Sequence, residues 1–93
     1  MSLTLSLVSG NVRADWSGCS VSNFVGYALI RSTSFETHFP PEDNNTEVAR
    51  TNSTAYTDNA PSGRYVYTAY CLQRWEGETK AVAKSPTKLI TVP

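Results

Sequence analysis

Apolar and polar residues alternate along much of this chain, with a period of two. Leu3, Leu5 and Leu7 alternate with Thr4 and Ser6, which predicts a first strand ending before Ser9-Gly10. Val12, Ala14 and Trp16 alternate with Arg13 and Asp15, the pattern of a strand with one buried and one wet face. Ser17-Gly18-Cys19-Ser20 reads as a loop. Phe24 to Arg31 carries apolar residues at both parities, as a central strand does. Its inward set is either Tyr27 and Leu29 or Ala28 and Ile30. Ser32 to Asn45, with Pro40-Pro41 and Asn44-Asn45, is polar, irregular and long for a hairpin loop.

Thr46 to Arg50 and Thr54 to Thr57 predict two short strands around a turn at Asn52-Ser53. Asp58-Asn59-Ala60-Pro61-Ser62-Gly63 is a strong turn cluster. Beyond it Tyr65, Tyr67, Ala69 and Cys71 share one strand face, and Val66, Thr68 and Tyr70 share the other. The charged run Gln73 to Glu78 then predicts a loop with a Gly turn. A final strand, Lys80 to Val92, is interrupted by Ser85-Pro86; proline cannot donate to a ladder, so an edge position or a bulge is expected there. Turn signals about 8–12 residues apart, and no helical periodicity over three turns, predict an all-β fold: a seven-stranded antiparallel β-sandwich. The expected core is Leu5, Leu7, Val12, Ala14, Trp16, Tyr27, Leu29, Tyr65, Tyr67 and Ala69.

A length of 93 residues allows one domain, 1–93, with a modest core. Eight basic residues balance eight acidic ones, so no nucleic-acid or anionic-membrane footprint is expected. No apolar run approaches the roughly 18 residues of a membrane span. Met1-Ser2-Leu3-Thr4-Leu5 lacks the basic and apolar regions of a signal peptide. Met1-Ser2 is expected to be an expression scar, and the chain a domain cut from something longer, monomeric in isolation.

Trp16 on the second strand, Tyr27-x-Leu29 on the third and Pro61-x-x-x-Tyr65-x-Tyr67-x-Ala69 on the sixth resemble the fibronectin type III signature, over Leu3 to Val92. The resemblance implies an immunoglobulin-like sandwich centred on Trp16, with the Tyr65 hydroxyl bonded to backbone in the preceding turn. Phe24-x-Gly26-Tyr27, Arg31-Ser32-Thr33 and Tyr56-Thr57-Asp58 look most like bacterial versions found beside surface or secreted enzymes. One departure is Asn59, where the family usually has Leu; Ala60 supplies a weaker apolar contact. The immunoglobulin fold itself is the rival, because Cys19 and Cys71 are spaced like its bridging pair. Its core Trp, however, follows the first Cys on the third strand, whereas Trp16 precedes Cys19.

In this topology Cys19 and Cys71 meet at one pole. They form either a disulfide or two free thiols, with Cys71 then a small core hydrophobe. His38 is the single histidine, which leaves no imidazole pair for a metal. No nucleophile elbow accompanies it, so no catalytic residue and no cofactor is expected. Glu42-Asp43-Asn44-Asn45 lacks the spacing of a calcium loop and reads as a solvated acidic turn. Asn44-Asn45-Thr46 and Asn52-Ser53-Thr54 match the glycosylation sequon, which matters only in a eukaryotic secretory cell. Trp75, flanked by Arg74 and sharing a pole with Tyr70 and Ser20-Val21-Ser22, either covers the cysteine end or stands exposed to contact a sugar or protein. The expected role is a spacer or structural module in a larger extracellular or cell-surface protein, its partners being neighbouring domains. The alternative is a polysaccharide- or protein-binding module using the Trp75 pole.

Overall fold

A computed structural model describes residues 1–93 and resolves the alternating segments into eight strands with no helix. They are β1 (Leu3–Val8), β2 (Asn11–Trp16), β3 (Phe24–Ser32), β4 (Asn45–Thr51), β5 (Ala55–Asp58), β6 (Gly63–Trp75), β7 (Glu78–Lys84) and β8 (Lys88–Val92). One antiparallel sheet has the order β1-β2-β5; the other runs β4-β3-β6-β7, with β8 continuing on β6 beyond β7. The two sheets stack in a sandwich-like arrangement around Leu3, Val12, Trp16, Tyr27, Leu29, Tyr65, Tyr67, Ala69 and Cys71.

The expected count was seven strands, and Ser85-Pro86 accounts for the eighth. Lys84 faces Tyr70 and Lys88 faces Tyr67, so Ser85, Pro86 and Thr87 span the width of only Thr68 and Ala69. The Ser85 amide donates to the Ala69 carbonyl at 2.8 Å, and the Ser85 hydroxyl accepts the Ala69 N–H at 2.9 Å. A side chain thus fills the ladder position that the break around Pro86 vacates. Both halves pair with β6 alone, which leaves this strand at the edge where proline is tolerated.

Both candidate faces of β3 are buried. Tyr27 and Leu29 point into the main core, while Ala28 and Ile30 join Tyr70, Leu72 and Phe39 on the far side of the same sheet. The irregular segment 33–44 provides that second cover. Its ends are clipped by the Thr33 amide donating to the Asn44 carbonyl and by the Asn45 side chain, which accepts the His38 N–H at 2.6 Å and donates to the Glu36 carbonyl at 3.1 Å. Leu7 departs from expectation: it is 44% exposed, because it lies on edge strand β1, outboard of its fully buried cross-strand partner Val12. Leu3, paired with Trp16, is the buried leucine of that strand, and Leu5 is half-buried against the core.

Asp58, expected in a turn, instead ends β5 with its carboxylate buried between the sheets. It accepts hydrogen bonds from Arg31 Nη1 at 2.9 Å and from the Tyr67 hydroxyl at 2.6 Å. Burial lowers the Arg31 pKa, but the hydrogen bond and charge of Asp58 more than offset this, so it lies above the ordinary arginine value. Burial, then the hydrogen bond to Asp58, pushes the Tyr67 phenol well above its ordinary value.

Two predictions follow from these contacts. Trp16→Ala is expected to cost about 3–5 kcal/mol in urea denaturation, and Leu7→Ala less than about 1 kcal/mol; equal losses would refute the core assignment. Tyr67 is an acid whose folded pKa is raised, so its contribution is intact below the unfolded value near 10 and is lost as pH rises beyond it. Stability should therefore fall above about pH 10, with Tyr67 contributing up to about 1.4 kcal/mol per pH unit. Tyr67→Phe should flatten that slope, and an unchanged slope would exclude Tyr67 as its source.

Candidate functional site

The strand alternation that buries Tyr67, Ala69 and Cys71 brings Cys71 to the end of the core nearest the β2–β3 loop. There Cys19 and Cys71 form a disulfide, with Cα atoms 6.4 Å apart. The Cys19 amide donates to the Tyr27 hydroxyl at 3.1 Å, and the Tyr27 ring meets Trp16 and Phe24 edge-on at 5.9 and 5.0 Å. A Cβ at Gly18 would lie 2.8 Å from the Tyr27 hydroxyl oxygen, so a larger residue there would have to displace the phenol that holds the Cys19 amide. The neighbouring Ser22 carbonyl accepts from Gln73 Nε2 at 2.9 Å, and the Arg74 amide donates to the Asn23 carbonyl at 3.0 Å.

The run from Gln73 to Glu78 is not the loop its charges suggest. β6 continues to Trp75, which pairs with Glu78, so only Glu76-Gly77 turns the chain. Both residues have positive φ, 51° and 80°, as a two-residue hairpin of the I′ type requires. Trp75 therefore stands on a tight hairpin at the disulfide pole. It is 53% exposed and is not among the side chains packed against the core. Arg74 beside it is exposed. The Lys80–Glu78 ion pair, 3.6 Å long and solvent-exposed, adds little stability.

Tyr70, expected beside Trp75, lies elsewhere. Its parity turns it to the outer face of the sheet, where it is buried, its hydroxyl 2.8 Å from Thr37 Oγ1 and its ring centroid 6.1 Å from that of Phe39. Arg74 and Trp75 lie at the end of β6 that continues from the disulfide, on alternate faces of the strand, and Tyr70 is packed away in a separate cluster. Phe24 and Val25, both partly exposed, share this pole and were hidden in sequence by the continuous apolar run of β3.

His38 is partly exposed, 3.6 Å from carboxylate oxygens of Glu36 and Glu42. No group of three or more His, Cys, Asp or Glu side chains is placed to hold a metal ion. Asn44 and Asn52, the sequon asparagines, are exposed, whereas Asn45 is committed to the clip of its own loop. No helix is long and apolar enough to cross a membrane.

No family model matches the chain, and neither a curated protein nor a solved structure matches it significantly. What the pole can do chemically is bind: it offers a half-exposed indole and a guanidinium on backbone braced by the disulfide and by two hydrogen bonds to the β2–β3 loop.

The disulfide closes a loop whose ends are 52 residues apart, which in the chain-entropy account is worth about 4 kcal/mol. Cys19→Ala combined with Cys71→Ala should lower the unfolding free energy by about 2–5 kcal/mol. A loss below about 1 kcal/mol would show that the bond does not constrain the unfolded chain.

Proposed function

We propose that this chain is a non-catalytic module of the fibronectin type III kind, serving as a spacer or structural and interaction domain in a larger extracellular or cell-surface protein. The strand order supports the finer assignment: β1-β2-β5 opposes β4-β3-β6, with the last strand on the free side of β6. So does the Tyr65 hydroxyl, which donates to the Pro61 carbonyl at 2.8 Å as a tyrosine corner would. Ala60 is buried in the core, taking up the contact that Asn59 does not make. The disulfide fits an oxidising compartment.

The observation that carries the spacer role is where the two terminal strands lie. β1 starts beside Trp16 at the disulfide pole, and β8 ends beside Gly63 at the other, along a body 42 Å long and 25 by 18 Å across. Chain entering at one pole and leaving at the other sets modules in line. Two copies joined in tandem should reach, in small-angle X-ray scattering, a maximum dimension close to twice that long axis, each melting as the single domain does. A maximum dimension close to that of one module would overturn the spacer role.

A second role is favoured by Trp75. An indole half-exposed on a rigid hairpin suits recognition of a polysaccharide or protein, with Arg74 as its polar neighbour. Retention on such a ligand that Trp75→Ala abolishes would place recognition at the disulfide pole.

A further inference from the structure

The largest exposed apolar anomaly is not Trp75 but Phe35, which is 77% exposed. It does not lie on loose chain. The Ser34 amide donates to Ser32 Oγ at 3.0 Å, the Glu36 carbonyl accepts from Asn45 Nδ2 at 3.1 Å, and Thr37 Oγ1 donates to Thr68 Oγ1 at 2.7 Å. The backbone on both sides of Phe35 is therefore clamped to the sheet beneath while its ring is held out in water.

Phe35 alone lines two grooves. One, of about 170 Å³, contains Leu89, Val66, Arg64 and Ser34. The other, of about 350 Å³, contains Glu36, Thr37, His38, Lys84 and Thr87. The second volume lies within the roughly 300–1,000 Å³ of small-ligand sites. The ring forms a ridge between an apolar-floored groove and a polar one, beside the Ser85-Pro86 break.

We propose that this saddle is a binding site for a neutral glycan chain, with a sugar ring stacked on Phe35 and its hydroxyls directed into the polar groove. The lining decides the ligand class. Glu36 and Lys84 offset one another, and the two grooves together carry only Arg64 in excess, too little to gather a polyanion. The Thr37 and Thr87 hydroxyls are both bonded to Thr68 and keep only spare acceptor capacity, so the donors and acceptors left for a polyhydroxyl ligand in this groove come mainly from His38, Lys84 and Glu36. A protein partner needs roughly 800 Å² with an apolar centre, and the exposed apolar side chains here are only Phe35 and Leu89. The site is independent of the Trp75 pole: from Val66 to Trp75, β6 runs nine residues, or about 30 Å.

The test is affinity gel electrophoresis against soluble xylan, mixed-linkage β-glucan and galactomannan, with heparin as the polyanion. Retardation by at least one neutral glycan is expected, weakened about tenfold or more by Phe35→Ala, kept by Phe35→Tyr and unchanged by Trp75→Ala. Amide shifts on titration should cluster at residues 33–38 and 84–89. Phe35→Ala should melt with the wild type, since the ring packs on little. The assignment is overturned by no retardation on any neutral glycan, by retardation on heparin alone, by binding that survives Phe35→Ala, or by binding lost in Trp75→Ala. It is equally overturned if only an unrelated protein binds the saddle.

Discussion

A carboxylate buried between two sheets is tolerable only when it is fully partnered, and Asp58 sets that condition for this fold. Left alone in the seam it would cost several kcal/mol, and losing one partner of such a pair typically costs about 3–5 kcal/mol. Its partners, Arg31 and Tyr67, face each other across β3 and β6, whereas Asp58 belongs to the opposite sheet. The clasp therefore fixes how one sheet sits on the other, which non-directional apolar contacts do not do. It also reaches further: the Arg31 guanidinium lies 5.1 Å from the centre of the Tyr65 ring, and Tyr65 holds the Pro61 carbonyl. A four-residue strand with few contacts of its own is thus tied to the longest strand and to the turn preceding it.

The disulfide performs the matching task at the other pole, covalently. Packed against that pin are Trp16 and Tyr27, whose indole and phenol rings cross edge-on within the core. Trp16 Nε1 has no hydrogen-bond partner, so the core retains the indole for its bulk rather than for its polar handle. The exposed edge is treated differently. β7 carries a register shift opposite Cys71 and Leu72, with Lys80 and Lys84 along it and Pro86 beyond. Bulge, lysine and proline each discourage another strand from pairing there.

Much of this was legible in the sequence because period-two alternation reports parity directly. It placed Val12, Ala14, Trp16, Tyr65, Tyr67 and Ala69 in the core. Parity does not report coverage, which is why Leu7 shares a face with Leu3 and is nevertheless exposed. Asp58 was illegible because an aspartate opening Asp-Asn-Ala-Pro-Ser-Gly has the local chemistry of a turn; only Arg31, 27 residues earlier, marks it as buried. The hairpin at Trp75 has the look of a longer loop in sequence, because charged Arg74 and Glu76 mask strand residues on a two-residue turn. Trp75 has the parity of Cys71, whereas Tyr70 has the opposite parity and belongs to a second cluster. That cluster depends on the segment 33–44, which docks through Phe39 and through threonine and tyrosine hydroxyls, and such contacts leave no periodic trace.

The fold explains most of its large side chains by burial, and this throws the exceptions into relief. Trp75 and Phe35 expose most of their apolar area while their backbones are clamped, Trp75 by a tight hairpin and Phe35 by hydrogen bonds on either side. Holding an aromatic ring in water on ordered chain gains little packing energy. It does remove in advance the ordering cost that a ligand would otherwise have to offset. A loop needed only to cover Ala28, Ile30 and Tyr70 is served by Phe39, which turns inward, and has no use for a second phenylalanine four residues earlier turned outward. Packing within the sandwich does not account for the outward ring, and its exposure on clamped backbone fits the ridge proposed for a stacked ligand.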